Sequence, residues 1–384
     1  MKITETKKPH IVFLYSDTGG GHRSAAEAII EAIDLEFPEK FSYEMVDFFK
    51  EYSPPPFNFA GPAYPLMSRM EYMWEFTFKS SNNPDFMKVL FSAFWPYIRW
   101  GVYKMLQEHP GDMYVSVHPL INIPFLRAMR KRENKTPYMI VVTDLVSTHT
   151  AWFAKDADLI SIPTEQARKP ALFSGIDPKN LKVIGLPVAD RFCKPPGDKT
   201  ALRKKMGWPL DKTIILLVGG GEGMGPLGNV TRELNRSKLN AGLVVITGRN
   251  KKLKDELEGL DWNIPSRIYG FVTNMPDFMR AADILVTKAG PGTISEALIA
   301  NLPIILYHRI PGQEEGNVSY VIDEGAGVWA PEIDDIISTL EDWLQNPSKR
   351  DEAVNHAKRL AKPNASRQIA QTIDQMIILN KIEY

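Results

Sequence analysis

The chain has 384 residues, 44% hydrophobic and 24% charged, enough for two domains with full cores and ordinary for a soluble globular protein. Lys plus Arg equals Asp plus Glu at 46 each, a balance that argues against a general nucleic-acid binder. The single cysteine, Cys193, excludes an internal disulfide and a thiolate metal cluster and fits a reducing cytoplasm; no run of about 18 apolar residues is present to span a membrane, and the polar stretch Met1 to His10 is expected to hold no signal peptide.

The first predicted strand is Ile11 to Tyr15, followed by the loop Ser16-Asp17-Thr18-Gly19-Gly20-Gly21-His22-Arg23 and a helix from about Ser24 to Phe37. Gly19, Gly21 and Ser24 nearly match the dinucleotide fingerprint, and Asp47 ends the next strand region, Tyr43 to Val46, so a nicotinamide oxidoreductase is a rival reading. A Walker A loop is rejected, because no Lys-Ser/Thr pair follows. His22 has no bulky neighbour to shield its imidazole and is a candidate base for an attacking alcohol, the alternative being a solvated or capping histidine.

Residues 52–104 hold Phe57, Tyr64, Trp74, Phe76, Phe86, Phe94, Trp95, Tyr97 and Trp100, with Arg69, Lys79, Lys88, Arg99 and Lys104 interspersed. Aromatics mixed with basic side chains suit a membrane interface; core for inserted helices is the other reading. Further strands are expected at Tyr114–Val117, Tyr138–Val142, Leu159–Ile162 and Lys182–Ile184, alternating with helices as in a covered parallel sheet. His118 and Asp144 fall at strand ends, and His149 and Trp152 follow closely; the histidines are too scattered for a zinc site.

Pro187 to Pro196 reads as an interdomain linker. Beyond it, strands are expected at Thr213–Val218, Leu243–Thr247, Ile268–Tyr269, Ile284–Thr287, Ile304–Tyr307 and Gly327–Trp329, with a last helix from Ala365 to Ile382. The loop Gly219-Gly220-Gly221-Glu222-Gly223-Met224-Gly225-Pro226 lets backbone N–H groups approach an anion. Gly223, Gly225 and Gly228 match the fingerprint formally, but the next strand ends Thr247-Gly248-Arg249-Asn250, with no acid for an adenosine ribose.

Residues 288–317 are the most informative. Gly290-Pro291-Gly292 opens a helix beginning near Thr293, whose N-terminus favours a phosphate. Glu296, expected on the first turn, suits a ribose diol, and Gln313, Glu314 and Asn317 suit sugar hydroxyls. A ligand is expected in the cleft between the two halves, beyond the carboxyl ends of the strands.

Taken together, Ser16 through Arg23, Thr143-Asp144-Leu145, Gly185-Leu186-Pro187-Val188, Gly219 through Pro226, Gly270-Phe271-Val272-Thr273-Asn274-Met275, Lys288 through Glu296 and Pro311-Gly312-Gln313-Glu314 resemble the monogalactosyldiacylglycerol synthases of glycosyltransferase family 28. The resemblance runs from about Ile11 to about Ala330, and with no plastid transit peptide ahead of Met1 a bacterial-type member is expected. It implies a GT-B fold: an α/β protein of two Rossmann-like domains with a cleft between them. The expected divisions are an acceptor and membrane domain at 1–190, a linker at 191–210, a UDP-sugar domain at 211–362 and a helix at 363–384 packing back toward the first domain.

The implied reaction is inverting transfer of galactose from UDP-galactose to 1,2-diacylglycerol, with UDP-glucose the alternative donor. A non-enzymatic UDP-sugar or lipid-binding module is a further alternative. The resemblance makes His22 the base, with Asp144 the next candidate. It places Gly219, Gly220, Gly221 and Gly223 at the diphosphate, Phe271 and Val272 at uracil, Gly290, Gly292 and Thr293 at phosphate, Glu296 at the ribose, and Gln313 with Glu314 at the hexose; Arg249, Lys288 and Asn317 complete the donor set. Gly20, Gly21, His149 and Trp152 are expected on the acceptor and lipid side, Trp152 where plant enzymes have a residue tied to activation by an anionic lipid. No metal and no cofactor is expected, the UDP-sugar being a substrate. The expected location is cytoplasmic, peripheral at the inner face of the cell membrane and in contact with anionic lipids, with no nucleic-acid partner.

Overall fold

A computed structural model describes residues 8–17, 20–59, 70–221, 223 and 225–383. The N-terminal stretch before Lys8, Thr18 and Gly19 of the first glycine loop, Tyr64 and Arg69 of the aromatic segment, and Glu222 and Met224 of the second loop lie outside the described residues. The chain divides into two units: unit 1 runs to Asp190 and includes Pro311–Gln313 and Asn364–Tyr384, and unit 2 is Arg191–Ile310 with Glu314–Pro363.

Unit 1 is built on six parallel strands, β1 (His10–Tyr15), β2 (Ser42–Asp47), β3 (Met113–Ser116), β4 (Tyr138–Val141), β5 (Leu159–Ile162) and β6 (Leu181–Val183), in the order β2-β1-β3-β4-β5-β6. β1 is apolar at nearly every position because both faces are covered. Val12 and Leu14 face Trp95, Val102, Met105 and Phe125, while Ile11 and Phe13 face Ala26, Ile29, Ile33, Ile369 and Ile373. The second layer thus combines helix Gly21–Glu36 with the C-terminal helix Ala365–Glu383.

Unit 2 carries β7 (Thr213–Val218), β8 (Ala241–Ile246), β9 (Ser266–Tyr269), β10 (Ile284–Lys288), β11 (Ile304–His308) and β12 (Gly327–Trp329), ordered β12-β11-β10-β7-β8-β9 and parallel throughout. The winding reverses between β7 and β10, which makes the carboxyl ends of those strands the natural ligand position. Ile215, Leu217, Val286 and Ile305 pack one face against Leu227, Val230, Leu234, Ile336 and Leu340.

All twelve strands expected from the sequence are present, with ends within two residues. Residues 191–210, expected as a linker, are instead built into unit 2: Arg203 of helix Lys199–Met206 is buried, donates to Asp283 at 2.5 Å and to the Ala281 carbonyl at 2.8 Å. A buried guanidinium must be paired, so this stretch is anchored rather than free. Among the described residues no helix is long and apolar enough to cross a membrane.

Candidate active site

In unit 2 a glycine turn follows each strand at the reversal. After β7, Gly220 (φ +75°) and Gly223 (φ +61°) adopt left-handed conformations, and the Gly223 N–H donates to the Gly220 carbonyl at 3.1 Å. The turn lies flat on the backbone after β8. The Arg249 N–H donates to the Gly221 carbonyl at 2.9 Å, and a Cβ at position 248 would fall 2.3 Å from the Gly221 oxygen, so no side chain fits there.

After β10, Gly290 caps helix Pro291–Ile299 in an extended conformation. Proline fits the first helical position because its N–H is not needed there, so the helix starts two residues before Thr293 and Glu296 falls on its second turn, not its first. Gly292 and Thr293 keep N–H groups that no helical carbonyl reaches, and the space over Gly292 is open to 4 Å. That is an anion site by geometry.

Glu296 is half-buried and its carboxyl has no hydrogen-bond partner among the described residues. Burial pushes it up to about 8, with Arg191 acting in the opposite direction. A half-buried carboxyl with no hydrogen bond inside the protein suits a ligand that brings two hydroxyl donors.

Lys288, at the end of β10, points its ammonium at the buried Glu314, with Nζ 2.8 Å from Oε1. The other Glu314 oxygen accepts from the Ile310 N–H at 2.8 Å. Asn317 donates to the Ala289 carbonyl at 2.9 Å, and its Oδ1 is buried without a partner. Gln313 belongs to unit 1, and its Oε1 is likewise buried without a partner. At the ends of β8 and β9, the Arg249 guanidinium lies 4.8 Å from the centroid of the exposed Phe271 ring, beside the half-buried Val272. Two neighbours escaped sequence reasoning: the His308 ring backs Gly225, and Arg309 stacks on Trp329 at 5.0 Å. Their only signal was position, immediately at the end of β11.

In unit 1, Gly20 caps helix Gly21–Glu36 with φ +74°, and both Gly20 and Gly21 face open space. His22 is the second helical residue. Its Nδ1 is 2.7 Å from the Val117 carbonyl and 3.0 Å from Thr143 Oγ1. A carbonyl only accepts, so Nδ1 carries the proton and the Nε2 lone pair is left for a substrate. Burial lowers the imidazole to about 4, against the raising effect of the Val117 carbonyl. The ring is therefore neutral at physiological pH, not poised near 7. His118 stands edge-on at 4.6 Å, and burial, with His22 second, holds it well below the usual imidazole range.

Asp144 is buried and accepts from Trp152 Nε1 at 2.6 Å. Trp152 has no exposed surface, and its ring lies 6.0 Å from that of His22. Direct lipid contact, expected for Trp152, is not what this placement offers: a core indole positions Asp144 instead. His149 accepts from the Ala151 N–H at 3.1 Å and meets Ser81 Oγ at 3.1 Å, and burial lowers it to about 4. Asp47 accepts from the N–H of Lys50 (3.1 Å), whose helix it caps, and from the N–H of Asp17 (3.2 Å). Among the described residues no cluster of His, Cys, Asp and Glu could hold a metal ion.

The aromatic segment divides by helix face. Met87, Trp95, Ile98, Val102 and Met105 of helix Pro84–Glu108 are core. The outer face shows Phe86, Val89, Tyr97 and Trp100 (74% exposed), and helix Glu71–Ser81 shows Tyr72 (82%), Met73 and Phe76 (67%). The core reading thus holds for one face, and the other face leaves aromatic side chains exposed.

Residues 22–188 match the family described as monogalactosyldiacylglycerol (MGDG) synthase, and residues 214–373 match the glycosyltransferase family 28 C-terminal domain. The chain is 36% identical over 387 residues to monogalactosyldiacylglycerol synthase 2, chloroplastic, of Arabidopsis thaliana, covering 98% of this chain and 82% of that protein. It is 38% identical over 378 residues to a probable monogalactosyldiacylglycerol synthase, chloroplastic, of Nicotiana tabacum, covering 96% and 70%. Among solved structures, Acinetobacter baumannii MurG matches with a TM-score of 0.60 at 14% identity over 96% of this chain and 99% of that one. S. aureus MnaA with UDP matches with a TM-score of 0.63 at 15% identity over 97% of each. The two six-stranded parallel units form the GT-B fold.

Proposed function

The chain belongs to the monogalactosyldiacylglycerol synthase family, and from that premise we infer that it transfers galactose from UDP-galactose to 1,2-diacylglycerol, giving β-monogalactosyldiacylglycerol and UDP. The observation that supports this reading most directly is the donor end of unit 2, where two glycine turns flank the reversal of the sheet and an unpartnered Glu296 waits on the helix that follows one of them.

The turns at Gly219–Gly223 and Gly290–Thr293 offer backbone N–H groups to the diphosphate, Glu296 takes the ribose diol, and Phe271 with Val272 takes uracil. The acceptor's glycerol hydroxyl attacks C1 of the sugar from the face opposite UDP. Its proton passes to Nε2 of His22, and the electron pair of the breaking C1–O bond leaves with UDP. His22 is suited to this because Val117 holds the other nitrogen protonated. A positioned base of this kind contributes about 10²–10⁴-fold. The chemistry proposed needs no cofactor.

Lipid acceptors call for a membrane surface. Tyr72, Phe76, Tyr97 and Trp100 are exposed rings on neighbouring helices, with Lys88, Arg99 and Lys104 among them. Rings at headgroup depth with cations beside them favour anionic lipid, so this face is proposed to rest on the inner leaflet of the cell membrane. The test of the reaction is an assay with diacylglycerol and UDP-galactose, with UDP-glucose in parallel and the product's anomeric configuration determined. β-Galactolipid formed from UDP-galactose is the expected result, and release of hexose to water alone would overturn it.

A further inference from the structure

Helix Glu71–Ser81 has two faces with different neighbours. Tyr72, Met73 and Phe76 are exposed and form part of the face proposed to rest on lipid. Phe78 and Ser81, on the opposite side, are half-buried against other parts of unit 1. Ser81 Oγ lies 3.1 Å from His149 Nε2, and the Phe78 ring stands edge-on to His149 at 5.0 Å. The Asn82 side chain that follows accepts from the Thr150 N–H at 2.9 Å. These contacts seat the helix on the loop at 149–150.

Phe78 also meets Gly312, in the 311–313 stretch that belongs to unit 1. A Cβ at position 312 would lie 3.1 Å from Phe78 Cδ1 and 3.5 Å from its Cβ and Cγ, so the ring rests on the bare glycine. The backbone there is left-handed, with φ +79°, a second reason why glycine is needed. The next residue is Gln313, whose Oε1 is buried without a partner. A buried carboxamide oxygen left open by the protein suits a ligand hydroxyl. One ring therefore stands between a lipid-facing helix and the glycine that precedes a side chain open to a sugar.

Resting on the transferase reading above, we propose that Phe78 is a positioning residue for Gln313, and that through it the seating of helix Glu71–Ser81 on a membrane is coupled to recognition of the hexose of UDP-galactose. Glycine has no side chain to hold its backbone in place, so the Phe78 ring supplies the restraint at position 312. A membrane that covers Tyr72 and Phe76 favours the seated helix, and the seated helix favours the turn that aims the Gln313 carboxamide at a sugar hydroxyl. The coupling is reciprocal: the sugar tightens membrane binding by the factor with which the membrane tightens sugar binding. The contacts proposed for uracil, ribose and diphosphate belong to unit 2 and take no part, so UDP without its hexose is blind to the coupling.

The test is calorimetric titration of the full chain with UDP-galactose and with UDP, each with and without phosphatidylcholine–phosphatidylserine vesicles that hold no diacylglycerol. Vesicles are expected to tighten UDP-galactose about fivefold or more, the low end of ordinary coupling between sites, and to leave UDP unchanged. UDP-galactose is expected to tighten vesicle binding by the same factor. F78A should abolish both effects, and F78L, which keeps an apolar side chain over Gly312, should retain most of them. Q313A should abolish them as well, and F78A should add nothing in the Q313A background. At equal bound fraction, vesicles of phosphatidylcholine alone should act as the anionic ones do, because the link is the seating of the helix. Tightening confined to anionic lipid would place the link at a headgroup and overturn the role of the ring. Equal UDP-galactose affinity of the native chain with and without vesicles, or tightening that survives in F78A, would overturn the coupling. A loss in F78A that extends equally to UDP, or that F78L does not restore, would make the ring merely structural and overturn the positioning role. Absence of UDP binding and of lipid galactosylation by the native chain would instead remove the transferase reading, so the two failures are distinguishable.

Discussion

The Nδ1 atom of His22 lies 2.7 Å from the carbonyl oxygen of Val117, and this one contact decides which nitrogen of the ring carries the proton. The carbonyl fixes the proton on Nδ1, and Nε2 is left basic. The same buried surroundings lower the imidazole to about 4. A weaker base that is deprotonated at neutral pH replaces a stronger one that would be partly protonated there.

His22→Ala is therefore expected to reduce kcat by roughly 10²–10⁴-fold. KM for UDP-galactose should change much less, because the donor groups lie in unit 2. The acid limb of the native kcat/KM profile should fall near pH 4, not near the ordinary 6.5. Near-native turnover of the alanine variant would remove His22 from the mechanism. An acid limb near 6.5 in an active native enzyme would contradict the burial of the ring.

Glu296 links donor binding to pH in the opposite sense. Its carboxyl is held up to about 8, yet a ribose diol donates two hydrogen bonds best to the ionised form. UDP affinity is expected to rise with pH up to about 8, with proton release on binding measurable by calorimetry in buffers of different ionisation enthalpy. Glu296→Gln should weaken UDP by about 1–3 kcal/mol and flatten the pH dependence. Stability should move the other way. The folded pKa lies above the ordinary 4.5, so the unfolded chain holds fewer protons between 4.5 and about 8, and unit 2 loses stability as pH rises through that window. Thermal denaturation of the glutamine variant should show its advantage over native at pH 8 and none at pH 4. Equal differences at both values would refute the linkage.

Unit 1 carries the complementary acid sensitivity. His22 and His149 are each lowered to about 4, and His118 well below its ordinary value, all chiefly by burial. Below 6.5 the unfolded chain takes up protons that the folded one refuses, so stability present above 6.5 is lost as pH falls toward 4. The expected measurement is a chemical-denaturation midpoint for unit 1 that declines across this range. His149→Gln should soften the decline, since it removes one of the three groups without touching the proposed base. A midpoint independent of pH from 7 to 4 would show that the rings are not buried neutral.

The exposed rings make a membrane prediction. Burying an aromatic side chain from water contributes about 1.5–3 kcal/mol, so even partial burial of three should change vesicle binding more than tenfold. Tyr72, Phe76 and Trp100 replaced together by serine should lose most partition into anionic vesicles and leave UDP affinity as it was. Added salt should weaken the binding of the native chain, because Lys88, Arg99 and Lys104 contribute by charge. Partition that is identical in neutral and anionic vesicles at all salt concentrations would remove the electrostatic part.

The twelve strands were legible without coordinates, because a parallel strand covered on both faces must be a short β-branched run, and Ile11–Tyr15 or Thr213–Val218 fit nothing else. The glycine turns at Gly219–Gly223 and Gly290–Gly292 were legible for the same kind of reason, since only glycine lets a backbone lie on another backbone as Gly223 lies on Thr247. What could not be read is the state of individual side chains in either unit. That Glu314 pairs with Lys288, and that Trp152 faces Asp144 rather than lipid, depends on side-chain directions set by residues far away in the chain. The same holds for charge: the ordinary pKa values of His22 and Glu296 belong to their residue types, but desolvation is a property of the packed surroundings, and it moved one down to about 4 and the other up to about 8.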